Sequence, residues 1–251
     1  MYNNSRYWRK YIVLISLFSS LFLAQCSKSD VLSNSNLNNR SVGASANELL
    51  SASSYQSINM QIHYMPGFAP DPASLNSLVN FLNALINKPG GINISQTQIA
   101  ASGKTILTLS EINEIEKNNR TVFTTGTTIG IYLLFTDGKY TDNSAVGLAY
   151  RNRSIAIFGK TVEDNSGGLN QVTRTKLETT IEEHEFGHIL GLVDIGSAMQ
   201  VNHKDPNSNH CNNAACLMYF STNVMGGIGI SGPVLPLDAN CRNDLHANGG
   251  K

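Results

Sequence analysis

The pentapeptide His-Glu-Phe-Gly-His at residues 184–188, inside a helix predicted over about residues 172–190, most constrains this chain. Residues four apart on a helix lie one turn apart on the same face, so His184 and His188 can reach one metal ion. Neutral imidazoles bind Zn²⁺ without filling its coordination sphere, and the open position takes a water whose pKa falls to about 7. Glu185 is placed to reach that water. The pattern therefore predicts a catalytic zinc site with Glu185 as the general base.

Gly191, three residues beyond His188, adds a second constraint. A glycine at this point can adopt the left-handed conformation that ends a helix and turns the chain back toward the metal. With that turn the segment resembles the metzincin clan of zinc peptidases, whose pattern is H-E-x-x-H-x-x-G-x-x-H or D. The resemblance covers about residues 125–250 and is specific only over residues 183–218. It implies an archaemetzincin-like or matrixin-like zincin domain that hydrolyses peptide bonds.

The third zinc ligand has three candidates. Asp194 stands at the spacing of the clan motif. The segment His-Cys-x4-Cys-x-Met at residues 210–218 resembles archaemetzincin-like peptidases, in which this histidine is the third ligand, and it favours His210 with an insertion in the turn. His203 lies inside that insertion and is the least favoured candidate. Met218 resembles the methionine of the Met-turn, which packs beneath the zinc ligands in this clan.

Three cysteines follow in the C-terminal part: Cys211, Cys216 and Cys241. In archaemetzincin-like peptidases the C-x4-C pair joins a later C-x-x-C in a second, structural zinc site. Here Asp244 stands at the last position, so a Cys₃Asp set, or one that uses His246, is an alternative. In an oxidising compartment we expect a disulfide among these cysteines in preference to a second zinc. The polar loop at residues 205–209 lacks the glycine and terminal carboxylate of a calcium loop, so we expect a turn there.

Residues 1–25 have the pattern of a bacterial lipoprotein signal peptide. An apolar run over residues 11–23, too short for a spanning helix, follows a positively charged start formed by Arg6, Arg9 and Lys10. The run closes on Leu-Ala-Gln-Cys at residues 23–26, which resembles a lipobox, although Gln25 replaces the usual small residue. We therefore expect a lipid on Cys26 and a place in a bacterial cell envelope, on the periplasmic or cell-surface face. An ordinary signal peptide is the alternative.

The remaining chain divides into a polar segment and one domain. Residues 26–57 are rich in serine and asparagine and predict a flexible tether, and residues 58–251 predict the catalytic domain. Alternating apolar residues predict a half-buried strand over residues 58–64. Asp71 before Pro72 and Thr108 before Glu111 predict helix starts. Further strands are expected at residues 129–135, 147–150 and 154–158. The plan is α+β: a twisted mixed sheet, an active-site helix and a loop-rich C-terminal part.

Composition limits the partners. The chain carries 18 basic and 18 acidic residues, a net charge of zero that argues against a nucleic-acid binder. We expect a monomeric metalloendopeptidase whose substrate is a protein or peptide, paired as an extra strand with residues 147–150 or 154–158, as in the clan. Tyr150 and Tyr219 are candidate donors to an oxyanion, although packing is the expected role of each. The alternatives are an inactive zinc-fold lipoprotein that binds peptides or acts in adhesion, and a zinc hydrolase of small amides.

Overall fold

The computed structural model describes residues 37–219 and 232–251. The predicted signal peptide, Cys26 and the first part of the predicted tether therefore lie outside the described residues. Within the described ranges, no helix combines the length and the apolar character that crossing a membrane requires.

A five-stranded sheet forms the centre of the fold. Its strands are β1 (Ser57–Tyr64), β2 (Ile92–Gln98), β4 (Thr128–Thr136), β6 (Gly147–Arg151) and β7 (Ser154–Phe158), in the order β2-β1-β4-β7-β6. All neighbouring strands are parallel except β6, which runs antiparallel to β7 at one edge. Two short strands, β3 (Ile106–Leu107) and β5 (Lys139–Tyr140), form a separate parallel pair. The prediction of a mixed sheet is confirmed.

Six helices accompany the sheet in the described ranges: α1 (Ala46–Leu50), α2 (Pro72–Leu85), α3 (Leu109–Asn119), α4 (Gly159–Asn165), α5 (Arg174–Ile189) and α6 (Ala239–Ala247). Both predicted helix starts are confirmed. The Asp71 side chain accepts a hydrogen bond of 2.8 Å from the backbone N–H of Ala73. Thr108 and Glu111 form the reciprocal capping box at the start of α3.

Helix α5 lies in the core of the domain. Every residue from 177 to 189 is buried, because α2, α4 and the edge strand β6 pack around the helix. A helix enclosed in this way must satisfy its polar side chains within the protein. Glu178 does so by accepting hydrogen bonds from the Asp71 backbone N–H, at 2.7 Å, and from Arg174 Nε, at 2.6 Å. The predicted active-site helix is thus held from several sides.

The expectation that strand β1 is half-buried is wrong. Gln61 and His63, which were expected to face solvent, are only 6 % and 4 % exposed. The sheet has a second apolar cluster on this face, formed by residues that include Leu107, Ile112 and Tyr132. Both faces of a largely parallel sheet are normally covered in this way. The buried Gln61 side chain has hydrogen-bond partners here, because its Oε1 accepts from the backbone N–H groups of Thr121 and Val122, which follow α3.

The predicted flexible tether is also wrong for residues 37–57. Leu49 and Leu50 of α1 are buried in the main core. The polar residues around them are fixed by partners elsewhere, since Glu48 pairs with the buried Arg153 and Asn152 Nδ2 donates to Ser45 Oγ at 2.7 Å. The polar composition predicted a solvated chain. Instead, the polar residues of this segment contact Asn152 and Arg153 and cover the turn that contains them.

The C-terminal part is irregular, as predicted, with one exception. Helix α6 was not predicted, because it is short and has little amphipathic pattern. Its N-cap is Asp238, whose side chain accepts a hydrogen bond of 2.9 Å from the backbone N–H of Cys241. This helix places Cys241 and Asp244 in the interior.

Candidate functional site

Three imidazoles converge at the C-terminal end of α5. Nitrogens of His184, His188 and His210 all lie within 4.8 Å of one another. The Nε2 atoms of His184 and His188 are 3.1 Å apart, and the ring of His210 lies 5.2 Å and 5.0 Å from the other two ring centroids. The favoured sequence candidate for the third position, His210, therefore joins the two helical histidines.

The surroundings of these rings suit a metal ion. His184 Nδ1 donates to the carbonyl oxygen of Leu217 at 2.8 Å, which leaves the Nε2 lone pair directed at the other histidines. Both ring nitrogens of His210 are buried and make no hydrogen bond to the described residues. Burial lowers the pKa of His184 to about 3 and lowers the pKa values of His188 and His210. All three rings are therefore neutral at pH 7, which is the form that binds metal.

The turn after α5 separates the candidates for the third position. Gly191 has a φ of +81°, the left-handed conformation predicted for it, and a side chain there would lie 2.5 Å from the Ser197 nitrogen. Val193 and Asp194 are also left-handed, with φ values of 60° and 67°. Asp194 is exposed and does not belong to the imidazole group. The chain instead continues through a longer loop before His210 reaches the other two rings.

Glu185 connects α5 to the edge of the sheet. Its Oε2 atom accepts a hydrogen bond of 2.6 Å from the backbone N–H of Ala149 in β6. The strand approaches so closely that a side chain at Gly147 would lie 2.4 Å from Ile181 Cγ2 and 3.0 Å from Glu185 Cγ. The carboxylate is only 1 % exposed. The predicted general base thus lies between the first histidine and an edge strand.

Met218 packs directly beneath α5. A side chain at Gly187, between the two helical histidines, would lie 2.3 Å from Met218 Sδ. The backbone carbonyl of Met218 accepts from the N–H of Cys211 at 2.8 Å. This is the position that the Met-turn resemblance implies. Tyr150 packs with the cluster on the opposite face of the sheet, in agreement with a packing role, and the Tyr219 N–H donates to the Cys216 carbonyl at 3.0 Å.

A second group of metal-binding side chains lies beside the first. Ligand atoms of His203, Cys211, Cys241 and Asp238 all lie within 4.8 Å of one another, and Cys216 lies beside Cys241. The histidine and the three cysteines are buried. His203 Nδ1 lies 3.4 Å from Cys211 Sγ and 3.9 Å from Cys241 Sγ, and the sulfurs of Cys216 and Cys241 are 3.6 Å apart. The three cysteines are free thiols. The expected disulfide is not formed in this structure, since a disulfide needs a sulfur–sulfur separation of about 2.05 Å.

His203 does not take the third-ligand position for which it was a candidate. It lies outside the imidazole group and is buried, and its Nε2 atom lies 2.8 Å from Asp244 Oδ2. The other Asp244 oxygen accepts from the Gln200 N–H at 2.7 Å. Because Nε2–H donates its hydrogen bond to this carboxylate, the Nδ1 lone pair faces the thiols. Asp244 thus holds His203 and does not take a ligand position itself. His246, the other residue considered for this site, is exposed.

Asp238 is a further carboxylate next to these thiols, with Oδ2 3.5 Å from Cys211 Sγ. Its oxygens are already used, since Oδ1 caps α6 and Oδ2 accepts from Asn213 Nδ2 at 2.9 Å. Cys216 is therefore the better fourth member of the set. The loop at residues 205–209 is a turn in which Asp205 Oδ1 accepts from the Asn207 N–H at 2.8 Å.

The sequence signal for the second group was incomplete. The cysteine spacing indicated three members, but nothing near His203 marks it as the fourth. Its role depends on Asp244, which lies 41 positions later in the chain. A histidine in a polar insertion has no local pattern from which such a contact can be predicted.

Comparison with known proteins gives a limited result. No protein-family model matches the chain, and no curated protein matches it. Among solved structures, archaemetzincin from Methanopyrus kandleri is similar with a TM-score of 0.49 and 13 % identity, over 78 % of this chain and 96 % of that one. Metalloproteinase-II from Bacteroides fragilis is similar with a TM-score of 0.44 and 13 % identity, over 79 % of this chain and 54 % of that one. The case for a function therefore rests on the residues of this chain's own site.

Proposed function

We propose that this chain is a zinc-dependent metallopeptidase in which His184, His188 and His210 bind the metal and Glu185 is the general base. The observation that carries the proposal is the convergence of three neutral imidazoles next to Glu185, with His184 buried and both ring nitrogens of the half-buried His210 shielded from solvent. Buried ring nitrogens without partners are costly, and a metal ion satisfies them. Bound Zn²⁺ supplies a polarised scissile carbonyl and an attacking water of lowered pKa.

The chain's own groups would divide the remaining work. The Glu185 carboxylate takes the proton of the attacking water and passes it to the leaving amine. The Ala149 N–H, bound to Glu185 Oε2 at 2.6 Å, fixes the carboxylate against β6. The Leu217 carbonyl, by accepting from His184 Nδ1, fixes the orientation of the first ligand ring.

The edge strand supports a polypeptide as the substrate. The sequence left residues 147–150 and 154–158 as alternatives for substrate pairing, and β7 lies between β4 and β6 in the sheet. Only β6 of these two is an edge strand, with one side of its backbone directed away from the sheet. An extended peptide can add to that edge, next to Glu185. An open edge favours peptide hydrolysis over hydrolysis of small amides.

The same proposal includes a second, structural metal centre formed by His203, Cys211, Cys216 and Cys241. The support is three contacts between these ligand atoms: 3.4 Å from His203 to Cys211, 3.9 Å from His203 to Cys241, and 3.6 Å from Cys216 to Cys241. With zinc–sulfur bonds of about 2.3 Å and zinc–nitrogen bonds of about 2.0 Å, the ligand atoms of a tetrahedral site are roughly 3.5–3.8 Å apart. Metal analysis of the purified chain should then give two ions per chain.

We also propose that Cys26 carries a lipid that anchors a monomeric domain in the bacterial envelope. The support is the signal-peptide pattern of residues 1–26 alone. Cys26→Ser should move the protein from the membrane fraction to the soluble fraction when the chain is expressed in a bacterial host. Equal membrane association of parent and variant would contradict the anchor.

The alternative function is an inactive zinc-fold lipoprotein that captures peptides. Its main support in the sequence was the uncertainty of the third ligand, and the position of His210 weakens it. Tight peptide binding without cleavage would favour this alternative.

The test is Glu185→Gln, with Glu163→Gln as a control at an exposed carboxylate. We expect Glu185→Gln to lower hydrolysis of a peptide library by about 10²-fold or more while zinc content stays unchanged, because general base catalysis contributes that much. Glu163→Gln should behave like the parent. Full activity of Glu185→Gln would remove its assigned role.

A further inference from the structure

His210 differs from the other two histidines in how it is positioned. His184 and His188 are one turn apart on α5 and are held by the helix. Residues 190–219, here called the ligand loop, are all described, and they form no helix or strand beyond isolated bridges. The His210 ring itself makes no hydrogen bond to the described residues. Its backbone carbonyl accepts a hydrogen bond of 2.8 Å from the Asp205 N–H, and the other contacts that set its place are made by its neighbours in the loop.

Those contacts lead to the second group of ligands. Backbone hydrogen bonds of 2.8 Å join the Asn212 N–H to the His203 carbonyl and the Cys211 N–H to the Met218 carbonyl. Cys211, the residue after His210, directs its sulfur at His203 Nδ1. Backbone hydrogen bonds thus fix Cys211 to Met218 and Asn212 to His203, which is a member of the group.

The same group reaches the first histidine as well. Cys216 precedes Leu217, whose carbonyl accepts from His184 Nδ1 at 2.8 Å. The sulfur of Cys216 faces Cys241, which belongs to α6. The group therefore lies next to both loop residues that act on the imidazole site, and it joins them to a helix.

We propose that the group formed by His203, Cys211, Cys216 and Cys241, with its metal ion bound, is a clamp that holds the ligand loop so that His210 meets His184 and His188. The clamp rests on the proposed metal sites and does not require peptide hydrolysis. Free thiols form only weak hydrogen bonds, so they cannot hold the loop as four bonds to a metal would. The metal at the second centre then controls the first.

The two ligand losses have different consequences. The His210 ring makes no bond to the second group, so losing this ring leaves the four ligands of that group in place. Losing His203 opens the second group and frees the loop that carries His210. With both ligand sets intact, metal binding at either centre strengthens metal binding at the other by the same factor.

The experiment uses the full chain, stripped of metal and titrated with Co²⁺. Thiolate ligands give a near-ultraviolet sulfur-to-cobalt absorption band that imidazoles do not give, so the two centres are read separately. The variants are His203→Ala, His203→Cys and His210→Ala, with His246→Ala as the control at an exposed histidine. Competition with a chelator measures the affinity of the imidazole centre.

We expect the parent to bind two ions, with the sulfur band appearing at the first equivalent. His203→Ala should lose the band and weaken the imidazole centre by about 10-fold or more, the size of effect that misplacing a ligand causes. His203→Cys should restore both centres by supplying a fourth ligand. His210→Ala should lose the imidazole centre and keep the band, and His246→Ala should match the parent.

The clamp is overturned if His203→Ala leaves the affinity of the imidazole centre unchanged. It is also overturned if the imidazole centre of the parent binds Co²⁺ equally tightly whether the second centre is empty or filled, a result that requires no variant to fold. A parent with the band but no ion at the imidazoles overturns both the clamp and the proposed function. Two coupled centres in a protein that cuts no peptide would support the clamp and remove the peptidase function.

Discussion

Helix α5 and the ligand loop contribute to the same imidazole site by different means. The helix supplies His184, Glu185 and His188 through the regular spacing of its turns, and its burial on all sides keeps them in place. The loop supplies His210 from a segment without helix or strand, held by contacts to His203 and α6. The helix residues form the rigid half of the site. The ligand loop with His210 forms the half that depends on contacts elsewhere, here called the conditional half. The conditional half is where variants distant from the imidazoles should have an effect.

Among variants outside the imidazole site, the largest effect is expected for Asp244→Asn, which acts only on the conditional half. The Asp244 carboxylate accepts a hydrogen bond from His203 Nε2–H, and an amide cannot replace it without offering a competing N–H. Loss of a carboxylate that orients a ligand histidine typically costs 10- to 100-fold in metal affinity. We expect a loss of this size at the second centre, measured by chelator competition. Asp194→Asn, at an exposed carboxylate, is the control, and equal behaviour of the two variants would argue against an orienting role.

A smaller effect is expected for Gly187→Ala, which acts on the rigid half. The added methyl group would lie 2.3 Å from Met218 Sδ. Overpacking costs about 1–3 kcal/mol, whereas alanine gains about 1 kcal/mol over glycine in a helix. We expect a net loss in the free energy of unfolding on the order of 1 kcal/mol, measured by urea denaturation of the metal-free protein. A more stable variant would show that Met218 does not pack tightly under α5.

The smallest effect is expected for Glu182→Gln, also on α5. Burial raises the pKa of Glu182 well above 4.5, and Glu178 adds to the rise. The folded protein therefore binds more protons than the unfolded chain above pH 4.5, so this group's contribution to stability is lost as pH rises from there. Glutamine removes that dependence. We expect the variant to lose less stability than the parent between pH 5 and pH 7, and parallel stability curves would contradict the assignment.

The rigid half was largely predictable from the sequence. A helix with two histidines one turn apart has local geometry that fixes which side chains meet, and caps such as Asp71 and Thr108 mark helix starts by local hydrogen bonds. The apolar run of β4 likewise matched a buried strand.

The conditional half was not predictable in the same way. Asp194 stood at the expected spacing, yet left-handed residues turn the chain there and leave it exposed. The positions of His203 and of residues 37–57 depend on partners such as Asp244 and Arg153, far away in the chain. Their composition predicted polar loops, because composition does not show which residues are buried or which distant residues they contact.

The zinc content and peptide cleavage of His210→Ala and Asp194→Ala, measured side by side with the parent, test the central claim most directly. Both are third-ligand candidates from the sequence, and only His210 lies within 4.8 Å of the ring nitrogens of His184 and His188. We expect His210→Ala to lose one zinc ion and all cleavage, while Asp194→Ala keeps the metal and activity of the parent. Loss of zinc and cleavage in Asp194→Ala, with both retained in His210→Ala, would contradict the proposed metal centre.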